Sequence, residues 1–102
     1  MYIVVLCTIP KGKAYEIARK VIEQRLGACV NIVDNIKSIY WWKGNIEEDS
    51  EELIIIKTKR EVLEKLTNFI KSIHPYTVPE IIALEIIGGN IDYLNWIEEN
   101  VK

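Results

Sequence analysis

The stretch "SIYWWKGNIEEDSEE", from Ser38 to Glu52, raises the main structural question of this 102-residue sequence. Gly44 can adopt the positive φ of a tight hairpin turn, and β-rich segments lie on both sides of it. Neighbouring side chains on a strand point to opposite faces, so Trp41 and Trp42 cannot share one side of this hairpin. Something must therefore cover both faces.

Apolar periodicity places the other elements around this hairpin. The predicted order is strand 2–9, helix 13–26, strands 28–42 and 46–58, helix 62–73, strand 80–87 and helix 91–101. We expect Gly27 to cap the first helix, Thr58 and Glu61 to form a capping box before the second, and Trp96 to be buried in the last. This β-α-β-β-α-β order with a C-terminal helix is the split βαβ arrangement of ferredoxin-like α+β folds. We expect one domain, residues 1–102.

In that topology both main helices cover one face of the antiparallel sheet, and the other face normally meets water. Here residues 2–7, 53–56 and 81–84 are apolar on both faces of their strands. A bare sheet of this kind exceeds the roughly few hundred Å² of apolar patch that monomers tolerate. We therefore expect other copies of the chain to cover the second face. The hairpin arms exceed the usual length of about five or six residues, so we expect the tip to reach past the protomer's own core.

An acidic run follows the turn: five of the eight residues after Gly44 are Glu47, Glu48, Asp49, Glu51 and Glu52. One interpretation is a solvated, self-repelling edge that prevents unwanted strand pairing. The other is that some of these carboxylates line a cleft between subunits.

Composition limits the function classes. The net charge of −2 provides no basic surface for nucleic acid or lipid headgroups, so we expect neither as a partner. No apolar segment approaches the roughly 20 residues that span a bilayer, and the N-terminal residues lack the features of a secretory signal. Two cysteines are too few for a disulfide framework. We expect a cytoplasmic protein.

Four ordered motifs resemble a known family: "LGACVNI", "SIYWWKGNIEEDSEELIIIKT", "HPYTVPEII" and "YLNWI" are similar to the CutA proteins, which are named for divalent-cation tolerance. The similarity covers nearly the whole chain. It implies a ferredoxin-like protomer in a tight homotrimer, in which the long hairpin pairs with neighbouring subunits and the sheets face inward. It also implies a role in tolerance of copper and other divalent metals.

Two residues are candidate metal ligands. Cys7 matches a proposed ligand position in copper-associated relatives, and thiolate suits Cu(I) or Zn(II), although a small buried hydrophobe is the alternative. His74, the only histidine, is either a ligand or a helix-end cation. Ile73 stands where enterobacterial relatives have a second histidine, which removes a donor. We expect Cys29 to be a core residue, too distant from Cys7 for a bridge or a shared ion.

A pocket between subunits is the second candidate site. Residues at recurrent family positions, together with one acid, are expected to line it near His74: Tyr40, Trp42, Glu51, Lys57 and Tyr76. In the alternative interpretation the aromatic rings fill the interface, and Lys57 pairs with an acid or extends along apolar surface.

The leading hypothesis is a CutA-like homotrimer that binds a divalent metal, Cu(II) above all, weakly through imidazole and carboxylate and without an organic cofactor. The second is a trimeric signalling or scaffold protein of the PII type that binds a small ligand, such as an anion or nucleotide, in clefts between subunits. A third is a stable assembly whose metal binding is adventitious. The sequence has no phosphate-binding glycine loop and no convincing nucleophile, so we expect no enzyme.

Overall fold

Seven strands and helices make up the chain in the computed structural model, which describes all of residues 1–102. They are β1 (Tyr2–Pro10), α1 (Ala14–Glu23), β2 (Cys29–Trp42), β3 (Asn45–Lys59), α2 (Leu63–Ile73), β4 (Ile82–Glu85) and α3 (Ile91–Asn100), with a short 3₁₀ turn at Arg60–Val62. The predicted element order is confirmed. β4 is shorter than predicted, because only its four residues pair with β1.

The four strands form one antiparallel sheet in the order β2-β3-β1-β4. This order puts β1 and β3 in the centre and confirms the predicted α+β class. The first two strands of the sequence lie on either side of the third, as the split βαβ arrangement requires.

One face of the sheet packs against α1 and α2 and forms the core. Alternate residues of β1 and β3 are buried there, namely Ile3, Val5, Cys7, Ile9, Ile54, Ile56 and Thr58. The predicted apolar stripe of α1 meets them through Ala14, Ile17, Ala18 and Val21, and α2 contributes Leu66 and Ile70. These side chains make one continuous core between the helices and the sheet.

The other face, here called the open face, is apolar as predicted. Val4 and Leu6 of β1 are only half-buried on it. Across from them on β4, Leu84 and Ile82 expose 53% and 50% of their surface. Neither α1 nor α2 reaches this face.

The hairpin of β2 and β3 projects beyond the sheet. Its turn consists of Lys43 and Gly44, with φ of 52° and 82°, the combination of a type I′ turn. β1 pairs with β3 only as far as Glu51, so residues 45–50 pair with β2 alone. The protomer is accordingly 44 Å long but only 25 by 22 Å across. The expectation that the tip passes the protomer's own core is confirmed.

A bulge in β2 marks where this projecting arm begins. Between Val33 and Ile36 two residues of β2 stand opposite the single residue Glu52, and Asn35 takes the left-handed φ of 61°. Beyond the bulge Trp41 lies opposite Ile46 and is 72% exposed. Trp42 points to the other face of the arm.

The predicted caps of α1 and α2 are wrong. The left-handed residue after α1 is Arg25, at φ 60°, rather than Gly27. Gly27 instead permits close packing, because a Cβ there would lie 2.8 Å from the Cγ2 atom of Ile56. Thr58 belongs to β3, where its buried hydroxyl donates to the Leu26 carbonyl at 2.7 Å. It therefore forms no capping box.

Helix α3 closes one end of the sheet. Ile97 is buried in the core, but Trp96, which was predicted to be buried, is exposed and packs against Tyr93, with ring centroids 5.5 Å apart. The Asn90 side chain caps this helix by accepting from the Asp92 amide at 3.0 Å. None of the helices combines the length and apolarity required to cross a membrane.

Candidate functional site

A groove of about 710 Å³ lies between the projecting hairpin arm and the loop that follows α2. We call it the hairpin groove; its lining residues are Thr8, Ser38, Ile39, Tyr40, Trp42, Glu51, Pro75, Tyr76, Thr77, Val78 and Glu80. Thr8 pairs with Leu53 on the open face, and Glu51 is two residues further along the same side of β3. The groove therefore opens on the side of the sheet that α1 and α2 leave uncovered.

His74 fixes the course of the loop that forms one wall. Its Nε2 donates to the Thr8 carbonyl at 2.9 Å, and its Nδ1 accepts from the Tyr76 amide at 3.0 Å. Because a carbonyl only accepts and a backbone amide only donates, these partners select the Nε2–H tautomer. Pro75 adds a fixed φ, so the loop leaves α2 along one path.

Tyr76 and Glu51 meet on the floor of the groove. The Tyr76 hydroxyl donates to Glu51 Oε2 at 2.7 Å, and Glu51 is only 4% exposed. Burial raises the pKa of Tyr76 far above its ordinary value, and the hydrogen bond and charge of Glu51 add to the effect. Tyr76 is therefore a neutral donor to a buried carboxylate.

The hairpin arm supplies the second wall. The Tyr40 hydroxyl donates to Asp49 Oδ2 on the adjacent strand. That hydrogen bond, followed by burial and the charges of Asp49, Glu51 and Glu47, raises the pKa of Tyr40 to about 12. Trp42 lies two residues on from Tyr40 on the same face of the arm.

Cys7 lies beneath the groove rather than in it. It is fully buried on the helix-covered face, and its thiol donates weakly to the Thr8 carbonyl at 3.7 Å. Burial, with smaller effects from the charges of Glu80 and Glu51, raises its pKa to about 12. The thiol is thus neutral and enclosed, unlike a reactive cysteine.

Cys7 and His74, the predicted metal ligands, are therefore not arranged around a shared ion within one chain. Cys7 and His74 both contact the Thr8 carbonyl, and no hydrogen bond joins them to each other. Both ring nitrogens of His74 have backbone partners, so ligation by His74 has to displace one of them. Within one chain, no three His, Cys, Asp or Glu side chains form a group that could hold a metal ion. Metal ligation by Cys7 and His74 stays a prediction.

Cys29 is not the core residue that was predicted. It is half-buried and pairs with Lys57, which places it on the open face, opposite to that of Cys7. Both cysteines are free thiols. Its neighbours Ala28 and Val30 do pack against the core, because alternation along β2 directs them to the helix-covered face.

Four of the five predicted pocket residues line the hairpin groove: Tyr40, Trp42, Glu51 and Tyr76. Lys57 does not, because it lies six residues along β3 from Glu51, about 20 Å at roughly 3.3 Å per residue. Sequence reasoning missed Thr8 and Glu80 as lining residues. The sheet register carries the signal for Thr8, since β1 ends opposite the acidic run of β3.

The fold and the groove define an α+β protein with one four-stranded antiparallel sheet, an extended hairpin and a small ligand-sized groove beside it. Comparison with known proteins is more specific. The family model for the CutA1 divalent ion tolerance protein matches residues 3–100. The chain belongs to this family.

Individual relatives agree with this assignment. The chain is 48% identical to the chloroplastic protein CutA 1 of Oryza sativa over 98% of its own length and 57% of that protein's. It is 54% identical to the Homo sapiens protein CutA over 90% of its length and 52% of that protein's. This chain thus spans only a little over half of these two relatives. Their names and the family description refer to CutA and to tolerance, not to an enzyme.

The solved structure of a divalent cation tolerance protein (Cut A1) from Thermus thermophilus superimposes along the full length of both chains. The TM-score is 0.97 at 48% sequence identity, with 100% of each chain covered. The α+β architecture, including the projecting hairpin, is therefore that of the family.

Proposed function

We propose that this protein takes part in tolerance of divalent cations, as a cytoplasmic homotrimer that binds a divalent metal ion, Cu(II) above all, weakly. Membership of the divalent ion tolerance family, over residues 3–100, is the observation that carries this proposal. The two free thiols fit the reducing cytoplasm.

The open face supports assembly from several copies. Leu84 and Ile82 are about half exposed there, and Trp41 and Ile46 are exposed on the arm. Burying such a surface against identical copies removes apolar area from water at roughly 25 cal/mol per Å². We propose three copies, rather than another number, because of the resemblance to the family.

The metal donors are proposed to come from more than one protomer, because no chain holds three suitable donors by itself. His74 and the carboxylates of the hairpin groove are the candidates in each copy. A site of one imidazole and carboxylate oxygens suits Cu(II). Weak binding is expected, since His74 has to give up a backbone partner.

Calorimetric titration of Cu(II) into the native protein tests the proposal. We expect about one site per chain, weakened in His74→Ala, while Asp92→Asn on the distant helix α3 behaves as the native protein does. Circular dichroism and light scattering confirm that both variants fold and assemble. An absence of binding heat, or an isotherm that His74→Ala leaves unaltered, contradicts the proposal.

The groove itself favours a second candidate, a trimeric signalling or scaffold protein with a small-molecule ligand. Its volume of about 710 Å³ falls in the range of roughly 300–1,000 Å³ that is usual for such ligands. Its lining contains no Lys or Arg, which disfavours the anions and nucleotides bound by proteins of the PII type. A thermal-stability shift with ATP and none with divalent metals reverses the order of the two candidates.

A further inference from the structure

The hairpin groove is negatively charged and has no cation of its own. Its lining includes the carboxylates of Glu51 and Glu80, and Asp49 is bound to the lining residue Tyr40. None of these three acids takes part in an ion pair. The raised pKa of Cys7, to which the charges of Glu80 and Glu51 contribute, reflects the same negative potential.

Glu51 is the most unusual of these groups, because it is 96% buried without a cationic partner. Only one of its oxygens, Oε2, accepts a hydrogen bond; Oε1 has no partner within the chain and keeps contact with solvent in the groove. A buried carboxylate is costly unless it is paired, so this position favours a bound positive charge.

Aromatic rings form the rest of the site. Tyr40 and Trp42 line the arm and Tyr76 lines the opposite loop. The negative face of such a ring attracts a cation, and tryptophan does so most strongly. Trp42 already makes such a cation–π contact within the chain, because the Lys43 ammonium lies 5.8 Å from its ring centroid. That lysine is exposed at the turn and can move aside.

We propose that the hairpin groove binds an organic cation, an ammonium group held against Trp42 and the tyrosine rings with Glu51 and Glu80 as its counter-charges. A bare metal ion needs several oxygen, nitrogen or sulfur ligands, which one chain does not bring together. An organic ammonium needs only aromatic faces and nearby carboxylates. Glu51 and Glu80 are also among the proposed metal donors, so the experiments below use metal-free protein and do not require that a metal binds.

The adjacent tryptophans provide a matched pair for the test. Tetramethylammonium is titrated into the ¹⁵N-labelled native protein at constant ionic strength, and the indole N–H signals of Trp41, Trp42 and Trp96 are followed. Each signal is assigned from the corresponding Trp→Leu variant. We expect saturable shifts of the Trp42 signal, whereas tert-butanol, which is neutral and of similar size, produces none.

Variants then identify the contacts. Trp42→Leu is expected to weaken tetramethylammonium binding about 2- to 30-fold, the equivalent of one cation–π contact. Trp41→Leu, on the other face of the arm, is expected to leave it unchanged. Glu80→Gln removes an exposed carboxylate that holds no other group, so the fold is retained, and weakens binding by about two- to fivefold. Asp92→Asn on α3 has no effect.

Three results overturn the proposal. One is an unshifted Trp42 signal at tetramethylammonium concentrations in the tens of millimolar, the weak limit of such sites. Another is an equal response to tetramethylammonium and tert-butanol, which indicates apolar partition rather than charge recognition. The third is an equal loss of binding in Trp41→Leu and Trp42→Leu.

Discussion

Glu51 and Glu52 are neighbours in the sequence, but the sheet gives them opposite environments. Glu51 faces the hairpin groove and accepts from the Tyr76 hydroxyl. Glu52 faces the helices, where its Oε1 accepts from the Ala14 amide at 2.9 Å. Glu48 is exposed on the arm. The alternation of β3 therefore divides the acidic run among the groove, the helices and the exposed arm, and a position in a cleft between subunits stays a prediction.

Cys7 predicts how stability changes at alkaline pH. The pKa of its thiol is raised from the ordinary value of 9.0 to about 12 in the folded protein. Between these values the unfolded thiol loses its proton while the folded one keeps it, so stability falls as pH rises, by at most about 1.4 kcal/mol per pH unit. Denaturant unfolding at a fixed chain concentration should show a shallower decline in Cys7→Val than in the native protein. Val5→Ala, a neighbouring core change without a titratable group, should retain the native slope; the same slope in Cys7→Val argues against the assignment.

The sequence was enough to predict which types of residue would form the site, but not which side chains and backbone groups they would contact. The aromatic residues and Glu51 stood out in the sequence, and the structure brings four of the five predicted residues to one groove. Lys57 shares the face of Glu51 but lies six residues further along β3, so within one chain it does not line this groove, and its place in a pocket between subunits stays a prediction. The partner of His74 Nε2 is the Thr8 carbonyl, 66 residues distant in the chain, whereas its Nδ1 bonds locally to the Tyr76 amide.

Among the helices, α1 depends on a strand for its N-terminal cap. Lys13, at the N-cap position, makes no side-chain hydrogen bond, and Glu52 of β3 supplies the acceptor instead. An acid there also interacts favourably with the helix dipole. Apolar periodicity predicted the helix itself. Its capping residue lies 38 residues further along the chain, so the sequence around the start of α1 carries no sign of it.

Glu52→Ala should destabilise the protein by about 0.5–2 kcal/mol, the usual cost of losing an N-terminal cap. Glu48→Ala, in the same acidic run but exposed and unbonded, should change stability by less than about 0.5 kcal/mol. Guanidinium unfolding of both variants provides the comparison. If the two are equally destabilised, Glu52 is not the cap of α1.

The junction between α1 and β2 requires a residue without a side chain. A Cβ at position 27 would lie 2.8 Å from Ile56 and 3.2 Å from Val21, both in the core. Gly27→Ala should therefore cost about 1–3 kcal/mol through overpacking. Gly89→Ala is the control, because a Cβ there meets nothing within 4 Å and its φ is not positive. An equal stability of the two variants contradicts the packing role of Gly27.

At the scale of the whole molecule, strands that are apolar on both faces were the strongest indication in the sequence that copies of the chain associate. The structure confirms that α1 and α2 cover one face and leave Ile82 and Leu84 about half exposed on the other. It also confirms the projecting arm, with Trp41 exposed. Strand order followed from element order, since few topologies join such elements. The length of β4 could not be predicted from the sequence, because it depends on how many of its residues pair with β1.

Multi-angle light scattering of the native protein across a dilution series measures whether copies cover the open face. With a chain mass of 11.8 kDa, we predict a species of three times that mass, about 35 kDa. Leu84→Glu, which places a charge on the open face, should lower that mass at the same concentration, whereas Ile22→Glu on α1 should not. A well-folded native species of 11.8 kDa contradicts the account, because the open face would then be stable in water.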